Sequence, residues 1–354
     1  MRLLFFYTRD RSSNAKSFAT EGLYSLFTQM VERKIVDEIE VVIDSNEPRI
    51  RTEYLPGFSA GIDHTSISLL RPGDIVFVRG GFKAWLPFID YCREKKFWLL
   101  FYGANTGRER WPFWDVIFDD LSGKGDRTDQ TGRLWLDYRK PVNEAIFRHN
   151  PVAEPAYDLC IGASYIHDKK GQWRGVAVAA AYKELFGKNL LCVLPGAFRR
   201  GEKTNRIMHE IISKNLDILI PGMLSRRELA NILNCSKLFC HLGSGGQGDR
   251  GPIEAMRCGC PVIIGFPQYH APWVCKDTEI SFIPDDPDDY QAIARHIYEW
   301  LQAASERDRK AVSDSFDRWA GIESVTIPRM KRLFDCLRQI PWADRQTLRE
   351  AYGL

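Results

Sequence analysis

The sequence predicts an α/β fold in two domains, each built on a parallel β-sheet flanked by helices, and three observations carry this. Short apolar runs alternate with longer amphipathic ones along the chain, the pattern of repeated strand–helix–strand units. At 354 residues the chain exceeds the length at which a single hydrophobic core keeps growing. Pro141, Pro151 and Pro155 punctuate a polar stretch at about 140–157 that suits a junction. The expected division is an N-terminal domain over 1–150, a second over 151–304, and helical, polar-rich residues over 305–354.

Leu3–Tyr7 reads as the first strand, followed by a polar turn and a helix over Ala15–Arg33 with Phe18, Leu23, Leu26, Phe27 and Val31 on one face. Strands are expected at Ile39–Ile43, Asp74–Arg79, Phe97–Tyr102 and Val116–Phe118, with a helix at Ala84–Lys95; residues 44–73 have no clear pattern. Asp119–Arg133, rich in Gly, Asp and Thr, reads as a mobile loop. In the second domain, strands fall at Asp158–Ile161, Leu190–Leu194, Ile218–Ile220, Lys237–Leu242 and Pro261–Ile264. Helices fall between them at Gln172–Phe186, Thr204–Lys214, after the capping box Ser225…Glu228, and at Pro252–Arg257 with Gly259 closing it. Asp286-Pro287-Asp288-Asp289 reads as a helix start, with an Asp cap, Pro at the first position and acid in the first turn.

Composition excludes several classes. Lys+Arg 49 against Asp+Glu 46 gives a net charge of +3, and residues 1–155 are balanced, so there is no basic footprint for nucleic acid. Nine cysteines at scattered spacing, without a CxxC, argue for reduced thiols used as small hydrophobes rather than a disulfide framework or a zinc site. No protein-bound metal is expected, since no HExxH or spaced His/Cys cluster occurs. No apolar run is long enough for a signal peptide or a membrane span, and a cytoplasmic location is expected.

The informative stretch is Leu242-Gly243-Ser244-Gly245-Gly246-Gln247-Gly248-Asp249-Arg250-Gly251-Pro252-Ile253-Glu254. It joins a strand to a helix and holds five glycines between 243 and 251, so backbone amides can approach a ligand without Cβ obstruction. The helix N-terminus beyond it supplies free N–H groups and a positive dipole end. The stretch is neither GxxxxGK[ST] nor a GxGxxG opening the first strand–helix unit, so it is not a P-loop or dinucleotide fingerprint.

Residues 216–265 resemble the signature region of retaining GT-B glycosyltransferases of the family-4-like group. Gly222-Met223-Leu224-Ser225-Arg226-Arg227-Glu228-Leu229 is similar to that family's G-x-[LV]-S-x-x-E-L segment, and Ile253-Glu254-Ala255-Met256 through Gly259-Cys260-Pro261-Val262-Ile263 to its L-E-A-M-x-x-G-x-P-V-I. Lys170-Gly171, after the first strand of the second domain, resembles the family's K-G pair, and Lys140–Phe147 resembles its linker, G-V-D-x-x-x-F. The resemblance implies GT-B architecture, two Rossmann-like domains with parallel sheets facing across a cleft, and terminal helices that return to the first domain. It also implies that Glu254 accepts hydrogen bonds from the two ribose hydroxyls of a nucleotide donor, and that Lys170 neutralises the donor diphosphate as it leaves. Ser244, Gly245, Gly246, Gly248, Arg250, Gly222 and Met223 complete the expected donor site, with Gln247 and Asn105 beside the donor sugar.

The chain departs from the family in the sugar-binding half. The usual glutamate eight positions before Glu254 is Gly246, with Gln247 beside it. The arginine expected five positions before Lys170 is Tyr165, leaving Arg174, Arg199 and Arg200 as substitutes, and the loop histidine is absent, with Asn105 nearest. The implied activity is transfer of a sugar from a nucleoside-diphosphate donor, a co-substrate and not a resident cofactor, to a carbohydrate or glycoconjugate hydroxyl, with retention at the anomeric carbon. Two alternatives stay open: a sugar-nucleotide epimerase on the same fold, and a catalytically silent nucleotide-sugar binder. Peripheral membrane contact and oligomeric state are also left open.

Overall fold

The computed structural model describes residues 1–7, 18–43, 58–60, 70–79, 86–102, 112–119, 124–162, 165–166, 170–198, 201–244, 250–267, 281–303 and 309–354. It forms two compact units, Met1–Asn143 with Ala320–Leu354, and Glu144–Trp319.

The N-terminal unit is an eight-stranded sheet among the described residues. Its strands are β1 (Arg2–Tyr7), β2 (Glu38–Ile43), β3 (Phe58–Ala60), β4 (Ile75–Arg79), β5 (Trp98–Tyr102), β6 (Val116–Asp119), β7 (Arg127–Thr128) and β8 (Leu134–Asp137), in the order β3-β2-β1-β4-β5-β6-β8-β7. All neighbours pair in parallel except β7 with β8. Parallel strands are buried on both faces, and the alternation in β1 shows it. Leu3 and Phe5 join Phe77, Leu100 and Phe118 under α1 (Gly22–Glu32), while Leu4 and Phe6 join Val76, Val78 and Phe101 on the other face. Met330, Leu333 and Phe334 of α9 (Ile327–Gln339), with Leu348 and Tyr352, complete the first of these clusters. The C-terminal residues thus finish a core begun by the first strand.

Two sequence expectations change here. The helix expected over Ala15–Arg33 is interrupted: Phe18 and Ala19 are helical, Thr20 and Glu21 are not, and a separate helix starts at Gly22, while the expected start at Ala15 lies outside the described residues. A Cβ on Gly22 would stand 1.8 Å from the Pro141 carbonyl oxygen, so the helix can begin there only with glycine against that backbone. The stretch expected to be a mobile loop over Asp119–Arg133 holds β7 and an ordered turn among its described residues. Asp129 organises that turn: its carboxylate accepts from the Thr131 and Arg133 amides, the Thr131 hydroxyl, Arg133 Nε and Trp135 Nε1. Composition read the segment as loop because it is polar, but a carboxylate with this many donors is an organising centre.

Among its described residues the C-terminal unit carries a six-stranded, all-parallel sheet of β9 (Tyr157–Ile161), β11 (Cys192–Pro195), β13 (Ile218–Gly222), β14 (Ser236–His241), β15 (Val262–Ile264) and β16 (Ser281–Phe282), ordered β13-β11-β9-β14-β15-β16. β10 (Tyr165–Ile166) and β12 (Ala197–Phe198) pair separately. One face packs on α3 (Gln172–Phe186), α4 (Glu202–Ser213) and α7 (Tyr290–Ala303), through Leu159, Leu194, Leu238, Val178, Ile207, Ile293 and Ile297. α5 (Arg226–Asn234), α6 (Arg250–Arg257) and α8 (Arg309–Ala320) follow β13, β14 and the segment after α7.

The α7 start differs from expectation. Asp286 accepts from the Asp288 amide in a preceding turn, and the helix begins at Tyr290 with Asp289 Oδ1 accepting from Ala292 N at 2.9 Å. Local Asp–backbone bonds compete with helix at such sites, which moves the cap three residues along. The cysteines described are free thiols, mostly buried; Cys92, Cys240 and Cys260 are pushed up to about 12 by burial, so they act as apolar fillers. Among the described residues no helix is long and apolar enough to cross a membrane.

Candidate functional site

In the C-terminal sheet β9, β11 and β13 build outward on one side and β14, β15 and β16 on the other, so the order reverses between β9 and β14. The carboxyl ends of the two strands at such a reversal leave a crevice where open α/β sheets bind ligands, because their following loops diverge to opposite faces. The loop after β9 holds Lys170-Gly171 and the loop after β14 is the glycine-rich stretch, so topology alone brings the two motifs together.

They meet through backbone. Gly171 has φ +73° and caps α3. A Cβ there would lie 2.2 Å from the Leu242 carbonyl oxygen and 2.5 Å from Gly243 N. Gly171 is therefore required twice, for its left-handed conformation and for the contact that seats half-exposed Lys170 beside the start of the turn. Ser244 is half-buried at the last described position of that turn, and Arg250, also half-buried, opens α6.

Glu254 lies in α6 and is 2% exposed. Its Oε1 accepts from Arg226 Nη1 at 2.8 Å. Arg226 is the first residue of α5, whose start is fixed by the expected capping box: Ser225 Oγ accepts from Glu228 N at 3.2 Å and Glu228 Oε2 accepts from Ser225 N at 2.7 Å. The Arg226 guanidinium stands 5.3 Å from the centroid of the fully buried Phe147 ring. Gly222 ends β13 with φ +80° and its carbonyl accepts from Gly196 N at 2.8 Å, while Met223 follows it 53% exposed. The Gly222–Arg226 segment is thus tied to Glu254 by an ion pair, and the two sequence signatures form one surface.

Arg174, one turn into α3, is buried and braces the glycine-rich stretch from behind. Its Nε and Nη2 donate to the Asp288 carboxylate at 2.7 and 3.2 Å, and Nη1 donates to the Leu242 carbonyl at 3.3 Å. Phe266 and Trp173 lie 5.0 and 4.4 Å from its guanidinium. Tyr290 Oη donates to Asp288 Oδ1 at 2.8 Å, and burial with that carboxylate pushes the phenol up to about 12. These bonds direct the Arg174 donors at protein groups, so of the three arginines named as partners for Lys170 this one holds the turn's backbone. Arg199 and Arg200 lie outside the described residues, as do Asn105, Gly245, Gly246, Gln247 and Gly248.

The structure adds Arg226, Phe147 and Asp288 to the residues singled out by sequence. Arg226 and Phe147 stood inside quoted motifs, yet nothing local marks their partnership with Glu254, because it arises where α5 meets α6. Asp288 was read as helix-start acid, and its role depends on a contact 114 residues away in sequence.

Residues 146–313 match the family of glycosyl transferases group 1. No curated protein matches the chain in sequence. Among solved structures, a glycosyltransferase from Rickettsia africae is similar with a TM-score of 0.63 at 12% identity, covering 99% of this chain and 98% of that one. Sucrose-phosphate synthase from Thermosynechococcus elongatus is similar with a TM-score of 0.65 at 14% identity, over 96% and 99%. HepE from Anabaena, solved in complex with UDP, is similar with a TM-score of 0.63 at 13% identity, over 96% and 100%. At these identities the likeness is one of fold, two Rossmann-like units in the GT-B manner.

Proposed function

We propose that this chain, whose residues 146–313 match the glycosyl transferases group 1 family, is a GT-B glycosyltransferase that moves a sugar from a nucleoside-diphosphate donor, gripped by Lys170, the glycine-rich turn and Glu254, to a carbohydrate or glycoconjugate hydroxyl. One observation carries the reading: Gly171 packs onto Leu242 and Gly243 at the reversal of the sheet, with Glu254 on the next helix. In that arrangement a diphosphate rests between the Lys170 ammonium and the amides ahead of Pro252, where a helix N-terminus adds its dipole. Glu254, held through one oxygen by Arg226, keeps acceptor sites for the adjoining ribose hydroxyls. Gly222 and Met223 flank the nucleoside end and Ser244 and Arg250 the diphosphate, while the expected contacts of Gly245, Gly246, Gln247, Gly248 and Asn105 lie outside the described residues.

The reaction breaks the bond between the anomeric carbon and the diphosphate oxygen and forms one to the acceptor oxygen, whose proton leaves with the diphosphate or to solvent. Charge gathers on the departing diphosphate as the anomeric carbon becomes oxocarbenium-like. A fixed cation and preformed amide donors lower that barrier because they need no reorganisation at the moment of transfer. Retention follows the family resemblance. The supporting likeness includes an Anabaena protein bound to UDP, so UDP-sugars are the first donors to test.

The test is a thermal-shift series with UDP-, GDP-, ADP- and TDP-sugars, since a ligand that binds only the folded state raises apparent stability by mass action. At least one should stabilise the chain, with the shift reduced in Lys170→Ala. No shift with any of them rejects the donor reading. Product analysis with the stabilising donor then separates the alternatives: an epimerised nucleotide sugar without acceptor product would indicate the epimerase, and unchanged donor the silent binder.

A further inference from the structure

At the amino ends of the N-terminal strands two arginines converge on one carboxylate oxygen. Arg93 lies in the last turn of α2 (Leu86–Glu94), and Arg345 in the turn Trp342–Thr347 that follows α9. Asp115, just ahead of β6, places Oδ1 at 3.4 Å from Arg93 Nη1 and 3.8 Å from Arg345 Nε. The Trp342 ring faces the same carboxylate and steadies both guanidiniums, which stand 5.4 Å (Arg93) and 4.0 Å (Arg345) from its centroid.

Neither contact closes into an ion pair like that of Arg2, which meets Glu40 and Asp74 at 2.6 Å each. Asp115 spends Oδ2 on the Leu99 amide, at 2.9 Å. Among the described residues Arg345 donates no side-chain hydrogen bond, and Arg93 donates only through Nη1, to the Phe113 carbonyl at 3.1 Å and to Asp115. One carboxylate therefore serves two guanidiniums. The surplus positive charge is held in place by an indole, while most of its N–H donors stay unused.

Both arginines line a cavity of about 270 Å³ with Asp115, Gln346, Pro112 and Trp114. Arg133 also borders it but is committed to Asp129. A cationic ligand would meet repulsion there, and a neutral one would leave the forked donors unmatched. A tetrahedral oxyanion suits them, because guanidinium forks pair with two oxygens at once. We propose that this cavity binds a phosphate group, free or as the monoester of a small organic molecule, through Arg93 and Arg345 with the Gln346 amide at its rim. The site belongs to the N-terminal unit and does not depend on the donor reading.

The test titrates the full chain with inorganic phosphate and with phenyl phosphate, each to about 50 mM by calorimetry, against chloride at matched ionic strength. Both should bind beyond the chloride control with a Kd of about 0.1–10 mM. Tighter binding of phenyl phosphate assigns an ester whose body rests on Pro112 and Trp114; equal or weaker binding assigns the free ion. Arg345→Met keeps an apolar stem on Trp342 and removes the donors, so affinity should fall at least about tenfold. Gln346→Glu, at an exposed position, brings a carboxylate to the rim and should weaken binding about fivefold, which serves where Arg345→Met does not fold. Asp115→Asn removes the opposing charge and should tighten binding about threefold, a gain that a merely structural role would not give. Lys170→Ala should leave phosphate affinity unchanged, since that lysine belongs to the proposed donor site. Thermal unfolding checks each variant. No binding beyond chloride, wild-type affinity in folded Arg345→Met or in Gln346→Glu, no gain in Asp115→Asn, or loss in Lys170→Ala overturns the proposal. Absence of UDP binding in the wild type would instead count against the donor reading.

Discussion

In the N-terminal unit Arg2 closes on Glu40 and Asp74 at 2.6 Å each; in the C-terminal unit Arg226 closes on Glu254 at 2.8 Å. The Arg2 contacts are buried and the Arg226 contact is half-buried, and they occupy different ends of the plan. Arg2 opens β1 and its partners lie in β2 and just before β4, so the triad stitches strands together at their amino ends. Arg226 opens the helix after β13 and its partner lies in the helix after β14, so this pair joins segments that leave the carboxyl ends. Buried ion pairs add little net stability once desolvation is counted. What each pair contributes is position. The first fixes a core, the second fixes a carboxylate beside the crevice proposed to take the donor.

That contrast can be broken most forcefully at Gly171. Gly171→Ala puts a Cβ into the Leu242 carbonyl and a left-handed φ on alanine, so stability should fall by on the order of 3 kcal/mol and nucleotide binding should vanish. Calorimetry and UDP titration measure both, and retained binding would sink the account of the crevice. Glu254 comes next. On the proposed donor reading, Glu254→Ala removes the carboxylate that takes the ribose hydroxyls and leaves Arg226 without its partner, so UDP affinity should drop about 100-fold, with Glu254→Gln losing about tenfold because it keeps shape but not charge. Equal affinity in both variants would show that the carboxylate serves α5 packing alone.

Asp115 makes the complementary case in the N-terminal unit. It precedes β6, is buried, and accepts from Leu99 N at 2.9 Å, with Arg93 at 3.4 Å and Arg345 at 3.8 Å. Burial pushes its carboxyl from 3.8 up to about 6, only partly offset by the Leu99 amide and the two arginines. A raised carboxylate means that the folded chain binds the extra proton between about pH 4 and 6, so this contribution to stability is present below that window and is lost as pH rises through it. Relative to Asp115→Asn, the wild type should lose about 1–3 kcal/mol across the window, while UDP affinity stays the same within about twofold. A parallel change in UDP affinity would erase the distinction between core charge and site charge.

The sequence made the sheets, most helices and the crevice legible because each rests on local pattern. β9 and β14 are short apolar runs, Ser225…Glu228 is a complete capping box, and five glycines ahead of Pro252 exceed what a turn needs. The parts that were not legible depend on contacts distant in sequence. Asp129 turns a polar stretch into an ordered one, Gly22 answers to Pro141, and Arg226 finds Glu254 only when α5 and α6 pack. Fold class reads from periodicity, whereas the wiring of a site reads from tertiary contacts that no window of sequence contains.

The mildest perturbation sharpens the comparison furthest, because it lies outside the proposed donor site. Asp288 is half-exposed, so Asp288→Asn should leave folding intact, yet its carboxylate holds Arg174, and Arg174 holds the Leu242 carbonyl from which the glycine-rich turn departs. Asparagine offers one oxygen where the guanidinium now uses two, so Arg174 should loosen and the turn with it. The donor KM should rise about threefold with kcat nearly unchanged, which signals weaker ground-state and transition-state binding alike. Asp288→Glu should restore part of the loss, since it can still offer two oxygens. Matched steady-state kinetics of the three proteins decide the matter: a fall in kcat at constant KM, or no change at all, would mean that the Arg174–Asp288 pair closes on itself as the Arg2 triad does.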